Sequence, residues 1–203
     1  MRFPRPGVAV LSLLVIAACS STTDPVAPAA PADPPLPTTA ELSRGQIVSI
    51  STIGAGVIDL STAGVGDSKL FVAAIATANG KAYGFFSQRR ETPSGLVDFS
   101  AIVTCLTVDA NFPGRARVGG IVTANRSTHP GFRTDNHDVG DDVWFRVQDG
   151  GGLGATDLST TLGFKPTLVN TSPEYCALPF DGLPWWNPAS IFPLKSGLID
   201  VRS

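Results

Sequence analysis

Histidine is scarce in this chain of 203 residues: His129 and His137 are the two it has, and both fall in one polar loop at residues 128–141. A Ser-His-Asp relay needs its base held rigidly beside the nucleophile, so a hydrolase of that type has little to build on. Charge is sparse as well, 15 Lys+Arg against 17 Asp+Glu for a net charge of −2, and no basic face forms of the kind that nucleic-acid binding depends on. No run of helical length sustains a 3.6-residue apolar period. The apolar run at residues 8–18 is eleven residues long, too short to span a bilayer as a permanent helix. Cysteine occurs three times, at Cys19, Cys105 and Cys176, and that spacing argues against a Cys-rich metal site.

Glycine and proline, by contrast, are abundant at 21 and 17 residues with no collagen-like period, which reads as short strands joined by many turns. Arg2 and Arg5 ahead of the apolar run give the layout of a secretory signal peptide. The run ends in Ile16-Ala17-Ala18-Cys19, which resembles a bacterial lipobox. The resemblance implies that Cys19 becomes the N-terminus and carries a diacylglyceryl group, often with an amide-linked third chain; the alternative is an ordinary cleaved signal with a chance cysteine. Several acyl chains would hold the protein to a membrane at about 0.8 kcal/mol per buried CH₂. Cleavage there removes Arg2 and Arg5, leaving 13 basic against 17 acidic residues, a net charge of −4.

Residues 20–44 are Ser, Thr, Ala and Pro in the main, a composition that cannot bury enough apolar surface to offset ordering. Extended at about 3.1 Å per residue, such a spacer reaches roughly 75 Å. The expected organisation is therefore a lipoprotein signal peptide at 1–18, a lipidated Pro/Ala/Thr-rich tether at 19–44 and a single all-β domain at 45–203. The expected location is the bacterial cell envelope on its extracytoplasmic side, with Ser20 compatible with outer-membrane delivery in a host with two membranes.

Within the domain, Asn79-Gly80 joins two apolar runs, and that dipeptide favours a two-residue type I′ turn. The implied register pairs Thr77 with Ala82, Ala76 with Tyr83, Ile75 with Gly84, Ala74 with Phe85 and Ala73 with Phe86, setting large side chains against small ones. Both faces of this hairpin are apolar, so both are expected to be covered. Short β runs are expected at 47–53 and 57–60 around Gly54-Ala55-Gly56, a polar loop at 89–95, strands at 96–108 and 115–125 with a bulge at Gly119-Gly120, and a closing strand at 198–202. Val143, Phe145 and Val147 alternate with Trp144, Arg146 and Gln148, one face to the core and one to solvent or a neighbour. These elements describe an all-β antiparallel meander forming a small barrel or a sandwich.

Cys105 and Cys176 form an even pair in an oxidising compartment, which suggests a disulfide worth about 4 kcal/mol on the chain-entropy model; the alternative is two unbridged core residues. Residues 96–150, through Val103-Thr104-Cys105-Leu106-Thr107-Val108-Asp109, Val118-Gly119-Gly120-Ile121-Val122-Thr123 and Phe145-Arg146-Val147-Gln148-Asp149-Gly150, resemble exported bacterial β-proteins of unknown function. The late cysteine followed by residues 192–201 resembles the closing strand of that group. No catalytic residue comes with the resemblance.

Several motifs offer chemistry and are set against plainer readings. His129, Asp135, His137, Asp138, Asp141 and Asp142 supply oxygen and imidazole donors for calcium or zinc, but their spacing matches neither an EF-hand nor a zinc-protease helix. A solvated acidic loop is the expectation, with no metal and no cofactor. Gly66-Asp67-Ser68-Lys69 lacks the strand-turn-helix context of a serine nucleophile. Gly150, Gly152 and Ala155 mimic the dinucleotide fingerprint without the helix it requires. Trp185 and Trp186 beside Asp181 form the candidate ligand-binding patch, since aromatic faces with polar tips suit sugar rings; the alternative is a lid on the β core. The expected function is a non-catalytic surface binding or structural module with a protein or glycan ligand, and the rival is a carbohydrate-binding or hydrolytic envelope protein.

Overall fold

The computed structural model describes residues 48–152, 155–165, 169–180 and 190–203. Nine strands are described: β1 (Val48–Ile58), β2 (Ser68–Thr77), β3 (Ala82–Thr92), β4 (Gly95–Val108), β5 (Arg115–Asn125), β6 (Asp142–Gln148), β7 (Leu158–Ser159), β8 (Gly163–Phe164) and β9 (Phe192–Arg202). A six-residue helix, α1 (Ser172–Ala177), precedes β9. Neighbours in sequence are neighbours in space. Every pairing is antiparallel, from β1–β2 through β5–β6, then β6 with β7 and β8, β7 with β9, and β9 with β1. The meander therefore closes into an up-and-down barrel.

β7 and β8 are two parts of one bulged strand. Val147 faces Ser159 and Val143 faces Phe164, so one extra residue stands on the later strand between those pairs. The bulge leaves backbone groups to satisfy, and Gln88 reaches them from β3 on the far wall. Its Oε1 accepts from Leu162 N–H at 3.2 Å and its Nε2 donates to the Thr160 carbonyl at 3.5 Å. The interior is otherwise mainly apolar, built on Phe86, Phe99, Phe145 and Phe164 with the aliphatic side chains of β2, β5 and β6, although Thr52 and Ser68 are also fully buried. Phe86 and Phe145 meet at a ring separation of 4.9 Å, as do Phe99 and Phe164.

The Asn79-Gly80 hairpin folds one residue out of the expected register. Ala76 faces Ala82, Ile75 faces Tyr83, Ala74 faces Gly84, Ala73 faces Phe85 and Val72 faces Phe86. The turn is not type I′, which needs positive φ at Asn79, and among the described residues only glycines have it. Gly80 N–H donates to the Thr77 carbonyl, Gly80 lies at φ 80°, and Thr77 N–H donates to the Lys81 carbonyl. That is a type I turn followed by a glycine bulge, a three-residue connection. The Thr77 hydroxyl, hydrogen-bonded to Asn79 Oδ1, favours it. Gly84, at φ 130°, lets β3 approach so closely that a Cβ there would stand 1.9 Å from the Ala73 carbonyl oxygen.

Other expectations shift with it. The two runs before Leu60 are one strand, because Gly54 and Gly56 do not turn the chain; they let β9 lie close, with a Cβ at Gly54 only 2.6 Å from the Leu198 carbonyl. The polar stretch after Gln88 is not a loop: β3 runs on to Thr92, and Pro93-Ser94 alone makes the turn to Gly95. The bulge expected at Gly119-Gly120 lies opposite, at Thr104 on β4, where the register slips between Val103 and Cys105. Cys176 sits on α1, a helix capped by Thr171 and Glu174 in a reciprocal box. Among the described residues nothing covers the outer face of the central hairpin: Phe71 and Phe85 stack on each other there, both exposed.

Candidate functional site

Cys105 and Cys176 form a disulfide across 71 residues of sequence, with Cα atoms 6.2 Å apart. It clamps α1 onto the outer face of β4, β5 and β6. Gly119 makes room, since a Cβ there would meet Cys105 Sγ at 2.6 Å. Ser172 N–H donates to Asp142 Oδ1 at 2.6 Å, and the Ser172 and Thr104 hydroxyls share a hydrogen bond at 2.7 Å. Trp144, on the outward face of β6, stacks on Tyr175 at 5.4 Å. Beside it Arg117 donates to the carbonyls of Leu178 and Pro179 and lies 4.0 Å from the Phe180 ring centre. Burial drives the Arg146 guanidinium down to about 10, where it stays charged at neutral pH, and pushes the Tyr175 hydroxyl upward. The partner anticipated for that face of β6 is thus a segment of the chain itself.

Most of the histidine loop, Asp135 and Asp138 included, is exposed as expected, but Phe132 and His137 turn from it to plug one end of the barrel. Phe132 and His137 lie against Phe164 and Phe99, with His137 and Phe164 rings 4.4 Å apart. Asn125 fastens the loop by donating to the carbonyls of Phe132 and His137 at 2.8 and 2.7 Å. Four of the six potential metal donors have structural tasks. His129 Nδ1 accepts from Gly131 N–H at 3.1 Å, His137 Nδ1 is 2.8 Å from the Thr134 hydroxyl, Asp141 pairs with Lys165 at 2.6 Å and Asp142 holds Ser172. Among the described residues no three His, Cys, Asp or Glu side chains are grouped to hold a metal ion.

Burial against the aromatic rings lowers the His137 pKa from its ordinary 6.5, an effect that Asp141 and Asp138 only partly offset. Proton uptake therefore favours the unfolded chain. The stability that neutral His137 provides is intact above about pH 6.5 and is lost as pH falls from there through the lowered folded value. Urea unfolding of the protein between pH 8 and pH 5 will show this decline, and His137→Gln will flatten it. An identical slope in both would place the acid sensitivity elsewhere.

Of the remaining motif residues, Ser68 points into the core and is fully buried, which removes it as an accessible nucleophile. Cys19, Asp181, Trp185 and Trp186 lie outside the described residues.

One surface was missed by sequence reasoning. Ile53, Phe71, Phe85 and Leu198 are large, apolar and exposed at 54%, 37%, 38% and 67%. They are not scattered. Leu198 faces Ala55 and Ala55 faces Phe71 across β9, β1 and β2, while Ile53 faces Ala73 and Ala73 faces Phe85 across β1, β2 and β3, so two adjacent rows lie side by side on the outside of the barrel. Ile102 on β4, opposite Phe85, extends the second row. The alternation within β2 holds the signal, since Phe71, Ala73 and Ile75 must face out when Leu70, Val72 and Ala74 fill the barrel.

The fold and these surfaces define a closed antiparallel β-barrel with a packed interior, a disulfide-clamped helix and an outer apolar wall. No protein-family model, curated protein or solved structure matches the chain. The resemblance of residues 96–150 to exported β-proteins thus gains no family, and what stands is an all-β domain.

Proposed function

We propose that this chain is a lipid-anchored, extracytoplasmic β-barrel of the bacterial cell envelope that acts as a non-catalytic surface binding or structural module. The observation that carries this reading is the division of apolar residues between a packed interior and one outer wall at Ile53, Phe71, Phe85 and Leu198. A contiguous apolar patch on a folded surface marks a place of contact. The tasks held by His129 and His137 and the burial of Ser68 support the non-catalytic part, and the lipobox at Cys19 supports the anchor. The test joins fractionation with a turnover screen. The mature protein will follow the membrane fraction of its host and leave nitrophenyl esters and envelope glycan fragments intact. Recovery in the soluble extracytoplasmic fraction would overturn the anchor, and turnover abolished by substitution at Asp181 or His137 would make the protein an enzyme.

A further inference from the structure

The lipid-anchored reading has a structural extension: we infer that the wall across β9, β1, β2 and β3 is a membrane-docking face that lays the barrel on the lipid surface. The first argument is continuity. β1 runs through the middle of the wall, and Ile53 lies nine residues beyond Arg44, where the tether read from the sequence ends. A chain anchored at Cys19 holds this wall at high effective concentration near lipid, so weak contacts suffice.

The second argument is shape and size. A barrel wall is convex, and two such walls meet along a narrow line. Four large side chains, each exposing a third to two thirds of its surface, fall well short of the about 800 Å² per partner that a stable dimer needs. A lipid surface conforms to a convex wall and accepts side chains singly.

The third argument is charge. Lys69 faces Arg89 directly across β2 and β3, on the outer side and one row beyond Phe71. Like charges opposed on a sheet repel, and anionic headgroup phosphates would relieve that repulsion beside the apolar rows. Asp98, 3.7 Å from Arg89, offsets only part of it. At the opposite margin Asp200 is paired with Arg202. The barrel lies on the bilayer rather than spanning it, because its apolar side chains fill the interior, the reverse of a transmembrane barrel.

The test places a photo-crosslinking benzoylphenylalanine at Ile53 or Leu198 in the mature protein, with Val139 and Phe112 as exposed apolar controls off the wall. The protein is mixed with vesicles of phosphatidylethanolamine and phosphatidylglycerol at about 3:1, a ratio chosen to supply anionic headgroups. Lipid adducts at Ile53 and Leu198 several-fold above both controls, reduced by Lys69→Gln with Arg89→Gln, are the expected result. Equal labelling at all four positions overturns the proposal, as does a protein–protein adduct of twice the mass at the wall. The outcome separates from the anchor reading. Wall adducts from a protein without lipid on Cys19 uphold docking and reject the anchor, whereas a lipidated protein with no excess at the wall does the reverse.

Discussion

Replacing Cys105 and Cys176 together by alanine will cost about 4 kcal/mol of stability, a large share of the about 5–15 kcal/mol margin that native domains possess. The bridge closes a loop of 71 residues that contains β5, β6, β7 and β8, so the unfolded chain gains much freedom when it is cut. It also ties the outer helix to the bulged part of β4. α1 keeps other holds on the barrel, through Arg117 to the Leu178 and Pro179 carbonyls and through Ser172 to Asp142. The loss is therefore expected as a lower urea midpoint with a cooperative transition preserved, not as detachment of α1 alone. Urea titration of the protein with and without reductant gives the comparison. A shift below about 1 kcal/mol would mean that the loop is already constrained in the unfolded chain.

Asp157→Ala will cost about 3 kcal/mol, through the seam where the barrel closes. β7 offers β9 only two residue pairs, Leu158 with Pro193 and Ser159 with Phe192, and Pro193 has no N–H to give. Carboxylates take over from strand carbonyls beyond that point. Asp157 Oδ2 accepts from Ile199 N–H at 2.7 Å and its Oδ1 from Gly150 N–H at 2.8 Å, while Asp149 Oδ2 accepts from Val201 N–H at 3.3 Å. Ile199 is wholly buried, so its N–H finds no water when the carboxylate is removed. Hydrogen exchange will show the Ile199 and Val201 amides losing protection before those of β2 and β3. Asp157→Asn, which keeps one acceptor, will fall between alanine and the wild type. Unchanged exchange at β9 would show that the seam does not depend on this side chain.

The class of fold was legible because alternation is local. Val143, Phe145 and Val147 announce an inward face on β6, and Ile199 with Val201 announces the closing strand, without knowledge of any partner. The two bridged cysteines were legible from their number. Register was not. Asn79-Gly80 is compatible with a two-residue turn and with a three-residue turn ending in a glycine bulge, and a ladder of alternating large and small residues packs passably in either. The choice rests on the Thr77 hydroxyl and on the freedom of Gly84, which a pairing argument does not weigh. The plug was hidden for a different reason. Residues 128–141 read as polar, yet Phe132 and His137 find Phe99 and Phe164 through contacts far apart in sequence. The outer wall was misread because two apolar faces on a hairpin suggest two covering layers, and a closed barrel supplies one.

The lipid on Cys19 is the claim on which the proposed role depends, and the intact mass of the protein purified from its host's membranes tests it directly. The account predicts a chain beginning at Cys19, heavier than residues 19–203 by a diacylglyceryl group with or without a third acyl chain. It also predicts a mass lighter by the two hydrogens lost to the Cys105–Cys176 disulfide. A chain that begins at any other residue, or at Cys19 without acyl mass, would contradict it.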